Sequence, residues 1–524
     1  MKRLLVNTSI GAALVTFLLL PLQGCTNLDE VPISDITKGN FFHNEAEVLA
    51  ALAGVYAQLR GTLDDYYNVS EISTDEMVVP TRGQDWYDNG QWLETHRQTW
   101  TANSVFSLAF GNGIWNTGYG GIARANVFIE ALQNVTVPNK ASIVAEARGL
   151  RAFYYYILMD AFGGVPIVTT TDIVKNPRNT RREVFDFIES ELIAARADLP
   201  ATRPSSDNGR FTQGAADAIL ANMYLNAGVF TKDAGISAGA YNSCSGVQVS
   251  GGVDACAAAI ASADAILNSG VYQLADTFQQ NFRADNYSSP ENIFAVKFVD
   301  QAGLGLNFVM RALHYSQFNP SPWNGFATLA EAYNTFDAAD RRRQVILIGQ
   351  QYNVLTGDSA FDRAGNPLVF TDTIHDITQA TEGEGPRVYK WPASPAHVAQ
   401  DNGNDFAWFR LGEIYLIKAE ALNEQSAGSA AALVVLNTLR ARDFNPPQPL
   451  AVVDRSVILN ERLFELIGEG KRRQDLIRFG TYTTRADDPS MAGGKQPSAD
   501  YYVLLPIPQT QLDANPQLVQ NSGY

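Results

Sequence analysis

Cysteine and histidine are scarce in this chain of 524 residues, which has three cysteines and five histidines. No group of them has the spacing of a zinc site, so we predict no metal and no cofactor. Each histidine is more typical of a surface residue or a hydrogen-bonded structural residue than of a ligand. The histidines are His43, His96, His314, His375 and His397.

Basic residues are also in short supply. The chain has 39 Lys and Arg against 55 Asp and Glu, which gives a formal net charge of −16. Proteins bind nucleic-acid phosphates through patches of Lys and Arg, so we exclude nucleic acid as a partner. The balance of 46% hydrophobic and 18% charged residues is typical of a globular protein. The length allows a core large enough for two or more domains.

The apolar run Ile10–Leu22 is too short for a comfortable membrane span. Two basic residues precede it, so Met1–Gly24 is predicted to be an export signal peptide. Its end, Leu22-Gln23-Gly24-Cys25, resembles the lipobox of bacterial lipoproteins. In that class the signal is cut before the cysteine, so the resemblance implies a lipid anchor on Cys25. An ordinary secretory signal is the alternative, and residues 25–40 are interpreted as a tether.

The other two cysteines, Cys244 and Cys256, lie twelve positions apart. In an exported protein they could form a disulfide. Such a bond would add about 3 kcal/mol to the free energy of unfolding in the chain-entropy model. Two free thiols are the alternative.

Ser142–Pro166 is predicted to be a central helix followed by its stop. Apolar residues follow a 3.6-residue period and also cover the other side, which is typical of a helix inside a large fold. Ser142 is the expected N-cap, and Gly163 and Gly164 allow the left-handed backbone that ends a helix. Further helices are predicted at Glu45–Arg60, Ile122–Leu132, Arg182–Leu199, Gln213–Gly228, Cys256–Ser269, Leu329–Phe336, Phe409–Glu424 and Val457–Phe479.

Three helical segments mix small residues with Leu and Tyr, so that neighbouring helices can pack closely. They are EARGLRAFYYYILMDAFG, GAADAILANMYLNAG and FRLGEIYLIKAEALNE. The pattern resembles tetratricopeptide hairpins, but the units are irregularly spaced. We therefore predict a mainly α fold, in which tetratricopeptide-like helical hairpins form a superhelix with long loops and a few short β-hairpins. Residues 69–117 are expected to be loop-like, and residues 284–403 irregular.

The stretch Thr74–Trp92 has the composition of a sugar-binding loop. Aromatic faces stack on the apolar face of a sugar ring, while flanking polar groups bond its hydroxyls. Trp86, Tyr87 and Trp92 supply the rings, and Arg82 supplies donors. The alternative is a structural loop packed on the helices, or part of a partner interface.

A second aromatic loop, Phe318–Phe326, has two prolines that stiffen it and present Trp323 and Asn324. A ligand role is one interpretation of this loop. The alternative is a hydrophobic staple before the next helix. Trp100 and Trp115 are expected in the core, because other aromatic residues surround them in sequence.

Charged clusters are interpreted as structural. Glu461–Arg478 spaces its charges for i,i+3 and i,i+4 ion pairs along a helix. The acidic loops at 61–68 and 401–405 lack the pattern of a calcium-binding EF-hand loop. A glycoside hydrolase would need two carboxylates at a suitable separation around a cleft, and no such constellation stands out.

Taken in order, several segments resemble the SusD/RagB family of outer-membrane nutrient-binding lipoproteins. They are the lipobox at Cys25, Ala147–Pro166, Phe185–Pro200, Phe409–Glu424, Leu436–Phe444, Glu461–Gly480 and Leu504–Tyr524. The ordered set is specific, particularly the closing PIP…NP…QN.GY pattern, and it covers essentially the whole mature chain. Gly468 departs from the family, which often has a bulkier residue there.

The resemblance implies a helical fold with four tetratricopeptide-like helix pairs and a looped ligand face. It implies a lipoprotein on the exterior of the bacterial outer membrane that captures a nutrient, usually a glycan or oligosaccharide. Its implied partner is a SusC-like TonB-dependent transporter. The resemblance implies no bond-breaking activity, so we predict that the protein is not an enzyme. The candidate ligand contacts are Trp86, Trp92, Trp323, Arg82, Tyr87 and Asn324.

The chain is predicted to contain an N-terminal helical region at 41–285. A C-terminal region at 286–524 is expected to hold a loop-rich insertion and the closing helices. A peptide-binding member of the same uptake class remains an alternative. A glycoside hydrolase and a purely helical scaffold for proteins are weaker ones.

Overall fold

Helices make up most of the regular structure. The computed structural model describes residue 42 and residues 44–236 and 238–524. The predicted signal peptide at 1–24, the predicted lipidation at Cys25 and the tether at 25–40 lie outside the described residues. The α-helices are α1 (Glu45–Ala57), α2 (Asp65–Ile72), α3 (Gln91–Arg97), α4 (Asn112–Ala131), α5 (Lys140–Phe162), α6 (Arg181–Asp198), α7 (Gln213–Leu225), α8 (Ala227–Phe230), α9 (Ala255–Leu267), α10 (Phe308–Ala312), α11 (Ala330–Thr335), α12 (Leu411–Gln425), α13 (Ala430–Arg440), α14 (Arg455–Leu466), α15 (Arg472–Phe479) and α16 (Gln509–Ala514).

The strands are short and pair two by two in antiparallel fashion. They are β1 (Met77–Val78), β2 (Gln248–Val249), β3 (Val253–Asp254), β4 (Asn292–Val296), β5 (Ala327–Thr328), β6 (Ile346–Leu347), β7 (Gly349–Gln350), β8 (Val369–Phe370), β9 (Arg387–Val388) and β10 (Phe406–Arg410). The pairs are β1–β5, β4–β10, β2–β3, β6–β9 and β7–β8. The predicted mainly α class with a few short β-hairpins is confirmed.

The predicted central helix is α5, which packs against α4 and α6. Close packing depends on Gly121 of α4, because a Cβ at that position would come within 2.4 Å of the Tyr154 ring. The end of α5 is as predicted, since Gly163 has a φ of 75° and its N–H donates to the carbonyl of Met159. The glycine therefore ends the helix without the cost that a side chain would bring.

The predicted start of α5 was wrong. The helix begins at Lys140, so Ser142 lies inside its first turn instead of capping it. Asn139 occupies the preceding position with a φ of 54°, a left-handed conformation that asparagine tolerates better than most residues.

The prediction of a loop across residues 69–117 was also partly wrong. Helix α3 and the first part of α4 fall within it. Trp92 lies on α3 and Trp115 on α4, and both are buried, as is Trp100. The core positions expected for Trp100 and Trp115 are confirmed. The second half of α4 corresponds to the helix predicted at Ile122–Leu132. Its first half was missed, because four glycines between residues 113 and 121 weaken the helical pattern there.

The helix predicted over Val457–Phe479 is two helices, α14 and α15. Gly468 and Gly470 separate them, each with a φ near 75°. Positive φ angles favour glycine, which explains why a bulkier residue would be strained at Gly468 in this chain.

The charges of Glu461–Arg478 are structural, but most of their partners lie on other elements. Glu465 is buried and receives charge-assisted bonds from Arg410 and Arg442 at 2.6 Å and from Arg342 at 3.3 Å. Burial alone would raise the pKa of Glu465, but the three arginines hold it well below its usual range. The local i,i+3 pair between Arg478 and Asp475 is present at 2.9 Å.

Cys244 and Cys256 form a disulfide, with 5.1 Å between their Cα atoms. It joins the loop after α8 to the first turn of α9. Residues 44–524 form one compact unit. Over the part of the chain that the structure describes, we find no helix that combines the length and apolar character needed to cross a bilayer.

Candidate functional site

The two aromatic loops predicted from the sequence meet in space. The ring of Trp86 lies 5.2 Å from that of Trp92 and 6.4 Å from that of Trp323, measured between centroids. The indole N–H of Trp86 donates a 2.6 Å hydrogen bond to the carbonyl of Trp323. Strand β1 leads into the first loop and pairs with β5, which follows the second loop. This pairing fixes the two loops beside each other.

The backbone of the first loop is tightly wound. Trp86, Asp88 and Asn89 all have positive φ angles, between 38° and 62°. Non-glycine residues seldom adopt this region, and they often do so at ligand sites. The amide of Arg82 and the carbonyl of Asp85 are 3.0 Å apart and close the turn that precedes Trp86.

The aromatic residues have different exposure. Tyr87 is 57% exposed and Trp323 is 36% exposed, whereas Trp86 is half-buried. Trp92 is buried, and its indole N–H donates to the carboxylate of Asp88 at 2.6 Å. Trp86 and Trp323 lie side by side, and the exposed Tyr87 follows Trp86 in the chain. We call Tyr87, Trp86 and Trp323 the aromatic face, which Trp92 supports through its ring contact with Trp86.

Arg82 holds the loops together from inside the protein. Its guanidinium donates to the main-chain carbonyls of Asn324 at 3.1 Å, Glu384 at 2.9 Å and also Thr381. Burial lowers the pKa of Arg82 to about 10, so it stays charged at neutral pH. The side chain is buried, and its placement suits positioning the loops.

Asn324 has a similar place in the structure. It is fully buried, and its side-chain amide donates to the carbonyl of Glu382 at 3.1 Å. Its side-chain oxygen accepts from Arg387 at 3.1 Å. Arg82 and Asn324 thus lie beneath the aromatic face, although the sequence suggested that they point outward with the rings.

Sequence reasoning missed a polar cluster that borders the aromatic face. The Tyr315 hydroxyl donates to the carboxylate of Asp85 at 2.5 Å, and Arg363 donates to the same oxygen at 2.9 Å. The Arg363 guanidinium lies 3.9 Å from the centroid of the Tyr315 ring. Glu382 accepts from the backbone amide of Arg363 at 3.0 Å. We call Tyr315, Asp85, Arg363 and Glu382 the polar cluster.

The polar cluster is joined to the second aromatic loop. The Ser321 hydroxyl donates to the carbonyl of Tyr315 at 2.9 Å, two residues before Trp323. The only sequence signal for the cluster was the polar setting of Asp85 beside Trp86. Arg363 comes from the irregular region between β7 and β8, where no periodic pattern marks it.

The chemistry of the site suits noncovalent binding. The hydrogen bond from Tyr315 holds the pKa of Asp85 below its usual range. A glycosidase general acid needs the opposite shift. Among the described residues, no group of three or more His, Cys, Asp or Glu could hold a metal ion. The exposed rings can stack on a sugar ring, and the polar cluster offers donors and acceptors at the edge.

Comparison with protein families gives two matches that together cover most of the chain. The model of the SusD family matches residues 290–524. A model described as starch-binding associating with outer membrane matches residues 28–225. The two matched ranges leave residues 226–289 between them, and the boundary predicted at 285 stays a prediction.

Among characterised sequences, the chain is 26% identical to SusD-like protein P2 of Formosa agariphila, over 97% of this chain and 99% of that protein. It is 25% identical to the starch-binding protein SusD of Bacteroides thetaiotaomicron, over the full length of both.

Among solved structures, a laminarin-binding SusD-like protein superposes with a TM-score of 0.71 at 23% identity. That match covers 92% of this chain and all of the other chain. Surface glycan-binding protein A from Bacteroides thetaiotaomicron, solved in complex with laminarihexaose, gives a TM-score of 0.69 at 20% identity. This second match covers 91% of this chain and all of the other chain. These likenesses support the fold.

Proposed function

The chain belongs to the SusD/RagB family, and on that basis we propose that it is a cell-surface lipoprotein that captures a glycan and delivers it to a SusC-like TonB-dependent outer-membrane transporter. The observation that carries the proposal is the aromatic face of Tyr87, Trp86 and Trp323. Exposed rings of this kind bind the apolar faces of sugars, and the polar cluster beside them can bond hydroxyl groups.

The ligand leaves the protein chemically unchanged. Two relatives support this part of the proposal, because one is named as a starch-binding protein and another as laminarin-binding. A shallow face of a few rings gives modest affinity by itself. Capture then depends on the linked transporter, which raises the effective concentration of the site.

The proposed location and the proposed partner are inferred from the lipobox at Cys25 and from membership of the family. The family model that matches residues 28–225 describes association with the outer membrane. A lipid on Cys25 would anchor the protein there. Metabolic labelling of cells with a palmitate analogue should label the wild-type protein and leave Cys25→Ala unlabelled. Co-purification with a TonB-dependent transporter would test the partner.

Glycan capture is tested with the purified protein and isothermal titration calorimetry against laminarin, starch, xylan and a mixed peptide pool. We expect saturable binding of at least one glycan, and no new products in the mixture by chromatography. Tyr87→Ala and Trp323→Ala should each weaken binding roughly 2- to 10-fold, taking about 0.5–1.5 kcal/mol for one stacked aromatic contact.

A matched control is Tyr287→Ala. Tyr287 is 56% exposed, almost the same as Tyr87, but it contacts Asn208 and Lys297 away from the aromatic face. Its replacement should leave affinity unchanged. Binding of peptides alone would change the ligand class, and protein-dependent products would overturn the noncatalytic role.

A further inference from the structure

Carboxylates border the aromatic face. Asp85 and Glu382 belong to the polar cluster, and their side chains are partly exposed. Asp88 is exposed beside Tyr87, where it also accepts the bond from Trp92. Any ligand that lies on the rings therefore comes close to several negative charges.

The exposed cation of the polar cluster, Arg363, is already neutralised. Its side chain is 59% exposed, but the guanidinium lies 2.9 Å from Asp85 and 3.5 Å from Glu382. It is also stacked on Tyr315. Two carboxylates thus share one arginine, which leaves little positive potential for an anionic ligand.

Two more arginines lie beneath the loops. Arg82 and Arg387 are buried and donate mainly to main-chain carbonyls, including that of Glu384, which both of them reach. His314 faces Glu382 at 3.0 Å, and burial lowers its pKa, so it is largely neutral at pH 7.5.

The region around the aromatic face has more carboxylates than arginines, even when the buried arginines are included. Arg311, whose guanidinium lies 5.9 Å from the Phe326 ring, is paired with Asp64 at 2.9 Å and adds no net charge. The other arginines counted are Arg82, Arg363 and Arg387, and the other carboxylates counted are Asp85, Asp88, Asp362, Glu382 and Glu384. The surface around the aromatic face carries a net negative charge, as does the chain as a whole.

We propose that this face selects uncharged glycans and disfavours glycans that carry sulfate or carboxylate groups. This inference rests on the proposed function and names the substrate class of the same site. Arg363 contributes to the selectivity, because its exposed guanidinium and the carboxylate oxygens beside it offer donors and acceptors to hydroxyl groups. Repulsion between an anionic substituent and the excess carboxylates should weaken binding roughly 3- to 10-fold at low salt.

The test compares polymers that share one backbone. Laminarin and soluble starch are each titrated beside their carboxymethylated and sulfated forms, at pH 7.5, in 20 mM and in 300 mM NaCl. We expect the uncharged form to bind more tightly, with a difference that shrinks as salt screens the charges. Equal or tighter binding of the charged forms would overturn the inference and leave glycan capture intact. No binding of any polymer would overturn the proposed function itself.

A charge-removal variant separates electrostatic exclusion from steric exclusion. Asp88→Asn with Asp362→Asn keeps the shape of both side chains and removes two negative charges at the surface. Because Asp88 also accepts from Trp92, the readout is the ratio of the affinities for the uncharged and the charged polymer, in which a loss common to both cancels. We expect this ratio to shrink at least twofold in the double variant. Asp285→Asn, an exposed carboxylate paired with Arg283 near Tyr287, is the matched control and should leave the difference unchanged. If neither salt nor the double variant alters the difference in affinity between the uncharged and the charged polymers, that difference is steric and the inference is wrong.

Discussion

The indole N–H of Trp86 donates a 2.6 Å hydrogen bond to the main-chain carbonyl of Trp323, which lies 237 residues away in sequence. The bond joins the two aromatic loops at the point where their rings are exposed. This donor therefore contributes to the spacing of the rings, together with the β1–β5 pairing and Arg82. If the spacing matches a sugar chain, losing that donor should affect affinity even when the ring is kept.

The first prediction concerns this bond. Trp86→Phe retains an aromatic ring and removes the N–H, so the second loop loses one anchor. We expect glycan affinity to fall about 3- to 10-fold, because a single hydrogen bond of this kind contributes about 0.5–1.5 kcal/mol. Calorimetry measures the change.

Trp86→Ala provides the comparison, since it removes both the ring and the bond and should cost more than the Phe variant. Equal losses in the two variants would mean that the bond carries the whole effect. No loss in either variant would place the ligand elsewhere on the protein.

The second prediction concerns Arg82. Replacement by Met keeps the aliphatic length and removes the guanidinium that binds the carbonyls of Asn324, Thr381 and Glu384. We expect the free energy of unfolding to fall by about 2–4 kcal/mol, because buried carbonyls lose their donors. Chemical denaturation measures this, and glycan affinity should fall as well.

Arg363→Met is the control for Arg82. Its guanidinium is mostly exposed, so its ion pairs should contribute less than about 1 kcal/mol to stability. A large loss of stability in Arg363→Met, or none in Arg82→Met, would contradict the positions assigned to the two arginines.

The sequence predicted those helices and helix ends that depend on a local pattern of residues. Helix α5 is long and apolar on most sides, and the glycine that ends it directly follows the apolar pattern. Helix α4 was partly missed for a physical reason. Gly121 and its neighbouring glycines lower helix propensity, yet a Cβ at Gly121 would collide with Tyr154. The feature that hides α4 in the sequence is the one that allows it to pack.

The candidate site likewise has residues that the sequence indicated and residues that only the structure shows. The rings of Trp86, Tyr87 and Trp323 could be nominated because aromatic residues in a polar loop are conspicuous. The inward placement of Arg82 could not be predicted, because it depends on carbonyls some 240 and 300 residues away. Arg363 was missed because only the folded chain brings it to Asp85.

The third prediction concerns the disulfide. Replacing Cys244 and Cys256 together by Ala should lower the free energy of unfolding by about 3 kcal/mol, since the bond closes a short loop in the unfolded chain. Glycan affinity should not change, because the bond lies near α9 and not at the aromatic face. Wild-type protein under reducing conditions should lose a similar amount. Equal stability of the variant and the oxidised wild type would contradict this.

The fourth prediction concerns two buried carboxyl groups, Glu71 and Glu76. Glu71 accepts from the amide of Gly470 at 2.5 Å, and Glu76 accepts from the amide of Gly468 at 3.2 Å. The pair hold the turn between α14 and α15 against α2 and β1. Burial raises the pKa of Glu71 to about 7, and burial together with the charge of Glu71 raises the pKa of Glu76. The charged form of each group is costly inside the protein, so both groups hold a proton more readily in the folded state than in the unfolded chain.

The pH dependence follows from the direction of these shifts. In the unfolded chain the glutamates lose their protons near pH 4.5, whereas Glu71 in the folded protein keeps its proton up to about pH 7. The folded state therefore binds more protons in this window, so its stability falls as pH rises from about 4.5 to 7, and the raised pKa of Glu76 acts in the same direction. Lys390, Glu469, Arg472 and Asp75 also surround the pair and have to be left intact in the test.

Glu71→Gln isolates the contribution of the pair. Glutamine keeps a side-chain oxygen that can accept from the amide of Gly470 and does not titrate, so the pH dependence that Glu71 contributes should disappear. We expect the stability of the wild type, relative to this variant, to fall by roughly 1–3 kcal/mol between pH 4.5 and 7. Asp285→Asn should keep the wild-type slope. Parallel pH profiles for the wild type and Glu71→Gln would show that Glu71 holds no extra proton in the folded protein, and its carboxylate would then have to be stabilised by neighbours such as Lys390.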